Sequence, residues 1–490
     1  MIEKNISEVE IAIIGTGFSG MGMAIRLQQS GRSNFLILEK ASDVGGCWRD
    51  NTYPGCCCDI PSHLYSFSFE QSAEWSRKYP PQQEIYHYLQ RCAEKHNLIP
   101  KIRFGSEVVE TRYCDDRKRW LLTLQSGDQI LANFVIAGKG PLHIPNLPQV
   151  PGLESFKGRV FHSSQWDHSY DLDGKRVAVI GTGASAIQFI PKIAETVKQL
   201  HVLQRSPGWM LPRPDREIGA WQKRLFKRFP SVLNLYRKAL FWTHEMRVHV
   251  FKEGNRLHDR TMNMAEQYMR SSVDDPDIQE KLLPDFSLGC KRLLISNDYY
   301  PTFNRSNVEL IASGIDRVEG NKVIASDGSE REVDAIIFGT GFEAADPLAP
   351  DTLFGPKGVD LFDRWNQEGA QAYKGVSVAG IPNFFFLVGP NSGLGHNSMI
   401  LMIEAQIQYI LDCFDHLESQ GISQWDVQRH AQDSYNREIQ GDVTESIWSS
   451  GCRSWYINKM GRNTTVWPGF VYEYQRQMEK LDVTAYANGE

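Results

Sequence analysis

The stretch Val9-Glu-Ile-Ala-Ile-Ile14-Gly15-Thr-Gly17-Phe18-Ser19-Gly20 decides how this chain is read. The apolar run is a short buried strand, and a helical pattern with Met23, Ala24 and Leu27 follows before the break at Gly31. Of the three glycines, one allows the tight turn, one lets backbone approach a pyrophosphate, and one lets helix and strand pack closely. The helix start then offers free N–H groups to phosphate. A Gly-rich turn alone is weak evidence. Here a second strand, Phe35-Leu-Ile-Leu-Glu39, ends in a carboxylate 24 residues after Gly15, where a ribose-binding acid belongs; Lys40 follows it.

The pattern recurs. Arg176-Val-Ala-Val-Ile180 enters Gly181-Thr182-Gly183-Ala184-Ser185-Ala186, a helix follows, and a strand His201-Val-Leu-Gln204 ends beside Arg205 and Ser206. Position 204 is Gln, where the first site has an acid. A carboxylate there would repel a 2′-phosphate and a guanidinium would bind one, so the first site suits FAD and the second NADPH. The alternative for Arg205 is an ordinary solvated charge. Two such sites in one chain imply hydride transfer from NADPH to a flavin.

Two later segments complete the architecture. Val333-Asp-Ala-Ile-Ile-Phe-Gly-Thr-Gly-Phe342 reads as a buried strand that crosses between the two units. Asn383-Phe-Phe-Phe-Leu-Val-Gly-Pro390 reads as a strand leading into an apolar helix from about Met399, whose N-terminus would stabilise negative charge on reduced flavin. The expected fold class is α/β, with two Rossmann-like dinucleotide-binding domains and a helical insertion. Residues 1–150 and 380–490 would form a discontinuous FAD-binding domain, 151–211 and 286–379 the NADPH-binding domain, and 212–285 the insertion.

Composition narrows the function. At 490 residues the chain exceeds one ordinary domain, and a net charge of −6 gives no reason to expect nucleic-acid binding. No basic n-region with an apolar h-region opens the chain, and no run of about 18 apolar residues occurs, so a cytoplasmic protein without a membrane span is expected. The nine cysteines fit no disulfide framework and read as reduced thiols. The adjacent Cys56, Cys57 and Cys58 cannot easily turn onto one metal, so no metal is expected. Without a CxxC beside the flavin, a disulfide reductase is disfavoured.

Two spaced motifs carry a family resemblance. One is Phe156-x-Gly158-xxx-His162-xxx-Trp166-Asp167, the other Gly45-Gly46-x-Trp48-xxxx-Tyr53-Pro54-Gly55-xxx-Asp59. On these the chain resembles the class B flavin monooxygenases, and within them the Baeyer–Villiger monooxygenases. Residues 53–69, which include Tyr65, look most like the hydroxyacetophenone-type branch. The resemblance implies reduction of FAD by NADPH, addition of O2 at flavin C4a, and attack of the peroxide on a ketone carbonyl to give an ester or lactone. It assigns Arg292 of Cys290-Lys291-Arg292 as catalytic, since Tyr299-Tyr300 and Phe303-Asn304-Arg305 follow, and Lys291 as a contact to the NADPH phosphate. An arginine suits the task because it keeps its proton beside an anion. Asp59 is its natural partner, or else a turn cap before Pro61. His162 reads as a linker or a structural histidine, and Trp48 as a flavin-side or core aromatic. Oxygenation of sulfur or nitrogen, or a non-catalytic NADPH sensor, are the competing functions.

The insertion is basic. Residues 221–252 hold eight lysines and arginines against one acid, Glu245, interleaved with Trp221, Leu225, Phe226, Leu233, Leu235 and Trp242, and the helical pattern breaks at Pro230. Such helices can lie weakly on an anionic membrane surface. The preferred account is plainer: their apolar face packs on the NADPH-binding domain and their cations are solvated. The substrate pocket is expected to be lined by this insertion, by residues 62–70 and by residues 391–399, leaving substrate and oligomeric state undetermined.

Overall fold

The computed structural model describes residues 6–252, 254–344, 348–449, 451–452 and 454–488. The deciding strand, β1 (Ile6–Ile14), pairs in parallel with β2 (Phe35–Leu38) on one side and β3 (Gln129–Ala137) on the other, within an eight-stranded sheet. Its apolar end is buried on both faces, which is why it lacks polar alternation. Helix α1 (Phe18–Gln29) covers one face, burying Met21, Ile25 and Leu27 in a core shared with the long helix Met399–Gln420. Phe384–Phe386 pairs in parallel with β3, as a strand of the same sheet. Beyond β3 the sheet turns antiparallel through Arg119–Leu124 and Val108–Cys114, and Leu353–Phe354 joins its edge. The chain thus returns to this sheet by residue 353, earlier than the boundary expected at 380.

A second sheet is parallel throughout. It contains β4 (Arg159–His162), β5 (Arg176–Ile180), β6 (Gln199–Leu203), β7 (Val308–Ile311) and β8 (Ala335–Phe338), in the order β7-β6-β5-β8-β4. Helix α2 (Ala186–Ile193) follows β5 and buries Ile187, Phe189 and Ile190 against it. Each sheet therefore presents one strand–glycine turn–helix unit, the doubly wound plan whose ligand crevice lies at the carboxyl ends of the strands.

The basic part of the insertion folds as a hairpin of α3 (Ala220–Arg228) and α4 (Pro230–Glu245), with Pro230 opening the second helix, where a missing N–H costs nothing. Two later helices, Arg256–Ser272 and Pro276–Leu282, bury Met269 and Leu282 in the core of the second unit. The seating of the hairpin differs from expectation. Buried Arg237 donates from Nη1 to the carbonyls of His63, Leu64 and Ser66 (2.7, 3.4 and 2.8 Å), and the His63 ring meets Phe226 and Tyr236 edge-on. The hairpin is held by the 63–66 loop of the first unit; a guanidinium satisfying loop carbonyls is a tie that apolar periodicity does not reveal. A second correction concerns the thiols. Cys290 and Cys452 form a disulfide across 162 residues, while seven other cysteines are free.

Candidate active site

The two glycine turns are built alike. Gly20 faces the turn it follows: a Cβ there would lie 1.9 Å from the Gly15 carbonyl oxygen, so only glycine lets α1 start so close to β1. Gly17 caps α1 with no side-chain hydrogen bond, which leaves the first-turn N–H groups to a ligand. Phe18 and Ser19 point inward, and Phe18 meets Tyr65 and Phe67 at 5.3 and 5.2 Å, so this turn offers backbone rather than side chains. Glu39 lies at the end of β2 as expected, but its carboxylate first binds the turn itself. It accepts from the Thr16 amide (3.0 Å) and hydroxyl (2.6 Å) and from the Ala41 amide (2.9 Å), and pairs with Arg49 at 3.2 Å. A ribose would share these acceptor positions with Thr16 and Arg49. Lys40 is exposed beside it.

At the second turn Gly181, Thr182, Gly183, Ala184 and Ser185 line a cavity, with Ala186 buried behind them at the start of α2. Gln204 turns away, donating to the Lys281 carbonyl at 2.9 Å, and the exposed Arg205 faces the cavity instead. Lys291 reaches the same place and donates to the Ser206 hydroxyl at 2.5 Å. Burial, and then the neighbouring Arg205 charge, push the Lys291 ammonium below the usual lysine range. Among the described residues neither cation is held in a salt bridge, although the Asp285 carboxylate is near enough to attract Lys291. Two adjacent cations with a hydroxyl between them suit a phosphate group.

The long Gly45-to-Asp59 motif is a bridge between the units. Gly46 precedes a short turn of helix carrying Trp48, whose indole donates to the Tyr65 hydroxyl at 3.1 Å; both rings line the cavity. Further on, the chain meets α2. Gln188 accepts from the Tyr53 hydroxyl (3.0 Å) and donates to the Cys57 carbonyl (3.0 Å). Gly55 sits at φ 81°, and a Cβ there would lie 2.7 Å from the Gln188 carbonyl oxygen, so glycine is required by both conformation and contact. The docked loop delivers Asp59 into the cavity, where its Oδ2 accepts from Arg292 Nη2 at 2.5 Å and Nε at 3.2 Å. Arg292 lies two residues before the start of a two-residue strand, Leu294–Ile295, that pairs with Met210–Leu211. The Asp59 carboxylate outweighs burial and holds the guanidinium firmly protonated. Tyr299, Tyr300 and Phe303, which follow in the chain, are buried in the core of the second unit with Ile187 and Phe189.

Tyr456 completes this group and is not legible in the local sequence pattern. It is buried against the Arg292 guanidinium, and burial pushes its phenol up to about 12. The disulfide joins the same two segments, since Cys290 lies two residues before Arg292 and Cys452 four before Tyr456.

The Phe156-to-Asp167 fingerprint stays outside the cavity. Phe156 packs on the core behind the second sheet, and a Cβ on Gly158 would lie 2.3 Å from the Asp334 carbonyl oxygen. His162, at the end of β4, is registered beside Phe338 and meets the Phe342 ring edge-on. Trp166 packs between Phe161 and Phe189, and Asp167 pairs with Arg159. These residues fasten the segment to β8, which lies between β5 and β4 within the second sheet.

The cavity has a volume of 1820 Å³ and is lined by the second glycine turn and by the bridge from Cys47 to Ile60, whereas residues 15–20 of the first glycine turn do not line it. Its lining corrects the expectation for the pocket. Leu394, Asn397 and Met399 contribute as expected and Tyr65 does so from the 62–70 loop, but none of the described residues of 212–285 does. Gln440, Trp448, Trp455 and Asn463 from the C-terminal segment stand there instead.

This arrangement agrees with comparisons against known proteins. A family model described as flavin-binding monooxygenase-like matches residues 8–357. The chain belongs to that family. It is 47% identical to a Baeyer-Villiger monooxygenase of Pseudomonas aeruginosa, over 97% of this chain and 91% of the other, and 42% identical to one of Streptomyces coelicolor, over 99% and 93%. Among solved structures, a closed form of cyclohexanone monooxygenase superposes with a TM-score of 0.89 at 26% identity, covering 99% of this chain and 100% of that one. An oxidized steroid monooxygenase bound to NADP superposes with a TM-score of 0.86 at 29% identity, covering 99% and 100%.

Proposed function

We propose that this family member is an FAD- and NADPH-dependent Baeyer–Villiger monooxygenase. It inserts one oxygen atom of O2 beside a ketone carbonyl to give an ester or lactone, and NADPH supplies the electrons that reduce the other oxygen atom to water. The observation that carries the reading is the Arg292–Asp59 pair, set in a cavity lined by the NADPH-type glycine turn and by the Cys47–Ile60 bridge. The named relatives, and the neighbour bound to NADP, support it.

FAD suits the first turn, whose backbone donors and Glu39 would hold its pyrophosphate and ribose, and when bound it activates O2 as a nucleophile. Arg205, Lys291 and Ser206 would hold the 2′-phosphate of NADPH. Arg292 would donate hydrogen bonds to negative oxygen, first beside the flavin and then on the attacked carbonyl, and it does so without surrendering a proton. Asp59 orients that guanidinium and balances its charge until substrate chemistry needs it. Trp48, Tyr65, Trp448 and Met399 give the cavity apolar walls, suited to alkyl or aryl ketones. Small-molecule ketone and O2 are thus the proposed partners. NADPH is regenerated inside cells, which supports a cytoplasmic site of action.

The test is stopped-flow absorbance of the NADPH-reduced, FAD-loaded protein mixed with O2 and an aryl ketone, with product analysis. Ketone-accelerated reoxidation that yields ester is the expected result. Reaction with sulfides or amines alone would replace this reading with heteroatom oxygenation.

A further inference from the structure

We propose that the outer face of the α3–α4 hairpin docks on an anionic lipid bilayer. In each helix the buried and exposed residues fall on opposite sides. Along α4, Leu233, Arg237 and His244 are buried, while Leu235, Trp242 and, just past the helix end, Met246 stand outward at 68%, 54% and 55% exposure. Their spacing of seven and four residues keeps them on one stripe. Along α3, Gln222 and Phe226 are buried, while Trp221 is 70% exposed and Phe229 at the elbow is 49% exposed. Large apolar side chains lie open to water on adjoining turns, where the buried face has already met its needs.

The charge on this face identifies the occupant. Arg224, Arg228 and Lys238 are exposed on the same stripes as Trp221 and Leu235. Buried Arg237 is spent on loop carbonyls, and the single acid of residues 221–252, Glu245, is also buried and accepts from the Val471 amide at 2.7 Å. The outward side of this stretch is therefore cationic and apolar without an acid of its own. Tryptophan at the interface, aliphatic side chains below it and cations at the headgroups are what a negatively charged lipid surface takes up. A second copy of this chain fits poorly, because a two-fold contact would set cation against cation. Docked this way, the protein would draw lipophilic compounds from the bilayer, while no helix among the described residues is long and apolar enough to cross it.

The experiment is sedimentation of the FAD-loaded full chain with phosphatidylcholine vesicles, with and without about one-third phosphatidylglycerol. Binding to the anionic vesicles, weakened by high salt and by omission of phosphatidylglycerol, is expected. Arg224→Gln/Arg228→Gln should weaken it about twenty-fivefold, at about fivefold per cation. Trp221→Ser/Leu235→Ser should weaken it at least as much, with NADPH-dependent turnover of a water-soluble ketone and FAD content unchanged in both variants. No binding at physiological salt, or binding that both variants retain, overturns the proposal. So does a dimer of the unmodified chain that Trp221→Ser/Leu235→Ser dissolves, which would make the face a self-association surface.

Discussion

One oxygen of Asp59 accepts two hydrogen bonds from the Arg292 guanidinium, joining residues 233 positions apart in the chain. The remaining N–H groups of a guanidinium point elsewhere, so the pair leaves donors free for an oxyanion. The geometry separates positioning from chemistry, and that separation can be measured.

Arg292→Ala should leave NADPH-driven bleaching of the flavin within a few-fold of normal while ester formation falls by about 10²–10³, the loss typical of one oxyanion donor. Asp59→Ala should cost less, about 10–100-fold, because the guanidinium stays but loses its orientation. Rapid-scan kinetics distinguish the two steps; ester formation that survives Arg292→Ala removes that residue from the mechanism.

Tyr456→Phe deletes only the hydroxyl beside Arg292. With its phenol raised to about 12, Tyr456 stays protonated over any ordinary assay range, so it acts as a fixed dipole and not as a base. Ester formation should drop about tenfold, the value of a hydrogen bond to a charged group, with KM for NADPH unchanged. A parallel change in NADPH affinity would assign Tyr456 to the nucleotide instead.

Arg205→Ala should lower kcat/KM for NADPH by about 10–150-fold, corresponding to roughly 1.5–3 kcal/mol, and leave NADH nearly unaffected. The pH dependence follows from Lys291. Its ammonium loses its proton below the usual lysine range, and the neutral amine no longer attracts phosphate, so KM for NADPH should rise as pH increases into the alkaline range. In Lys291→Arg that rise should vanish, since guanidinium does not titrate there. A pH profile that persists in the variant means another group reads the phosphate.

The Cys290–Cys452 bridge predicts seven titratable thiols, out of nine cysteines, in unreduced, denatured protein. Reduction should destabilise the fold by about 2–4 kcal/mol, seen as a lower Tm that is absent in a Cys290→Ser/Cys452→Ser variant. Because the bridge ties the Arg292 segment to the Tyr456 segment, ester formation should weaken with it. Nine free thiols would show that the pair is not joined in solution.

Much of the site was readable because the glycine turns are local. A strand, a turn and a helix start occupy consecutive residues, so their pattern, Glu39 and Arg205 included, survives in the linear chain. Lys291, Arg292 and Asp59 came from motif resemblance, since nothing in an isolated Lys-Arg pair distinguishes a catalytic cation from a solvated one. Tyr456 and the C-terminal wall gave little signal. The region around Trp455 and Tyr456 has aromatics and polar residues without amphipathic period, and such a stretch reads as loop.

By itself the sequence determined the two dinucleotide units, their different preferences and the basic character of the insertion, because each rests on backbone propensity and charge within a few tens of residues. Only the tertiary structure decided that Asp59 meets Arg292, that Cys290 reaches Cys452, that the C-terminal segment and not the insertion walls the cavity, and which face of the hairpin looks outward. Those outcomes depend on how separate elements pack, and packing energy is a sum over contacts between distant residues that no local window contains.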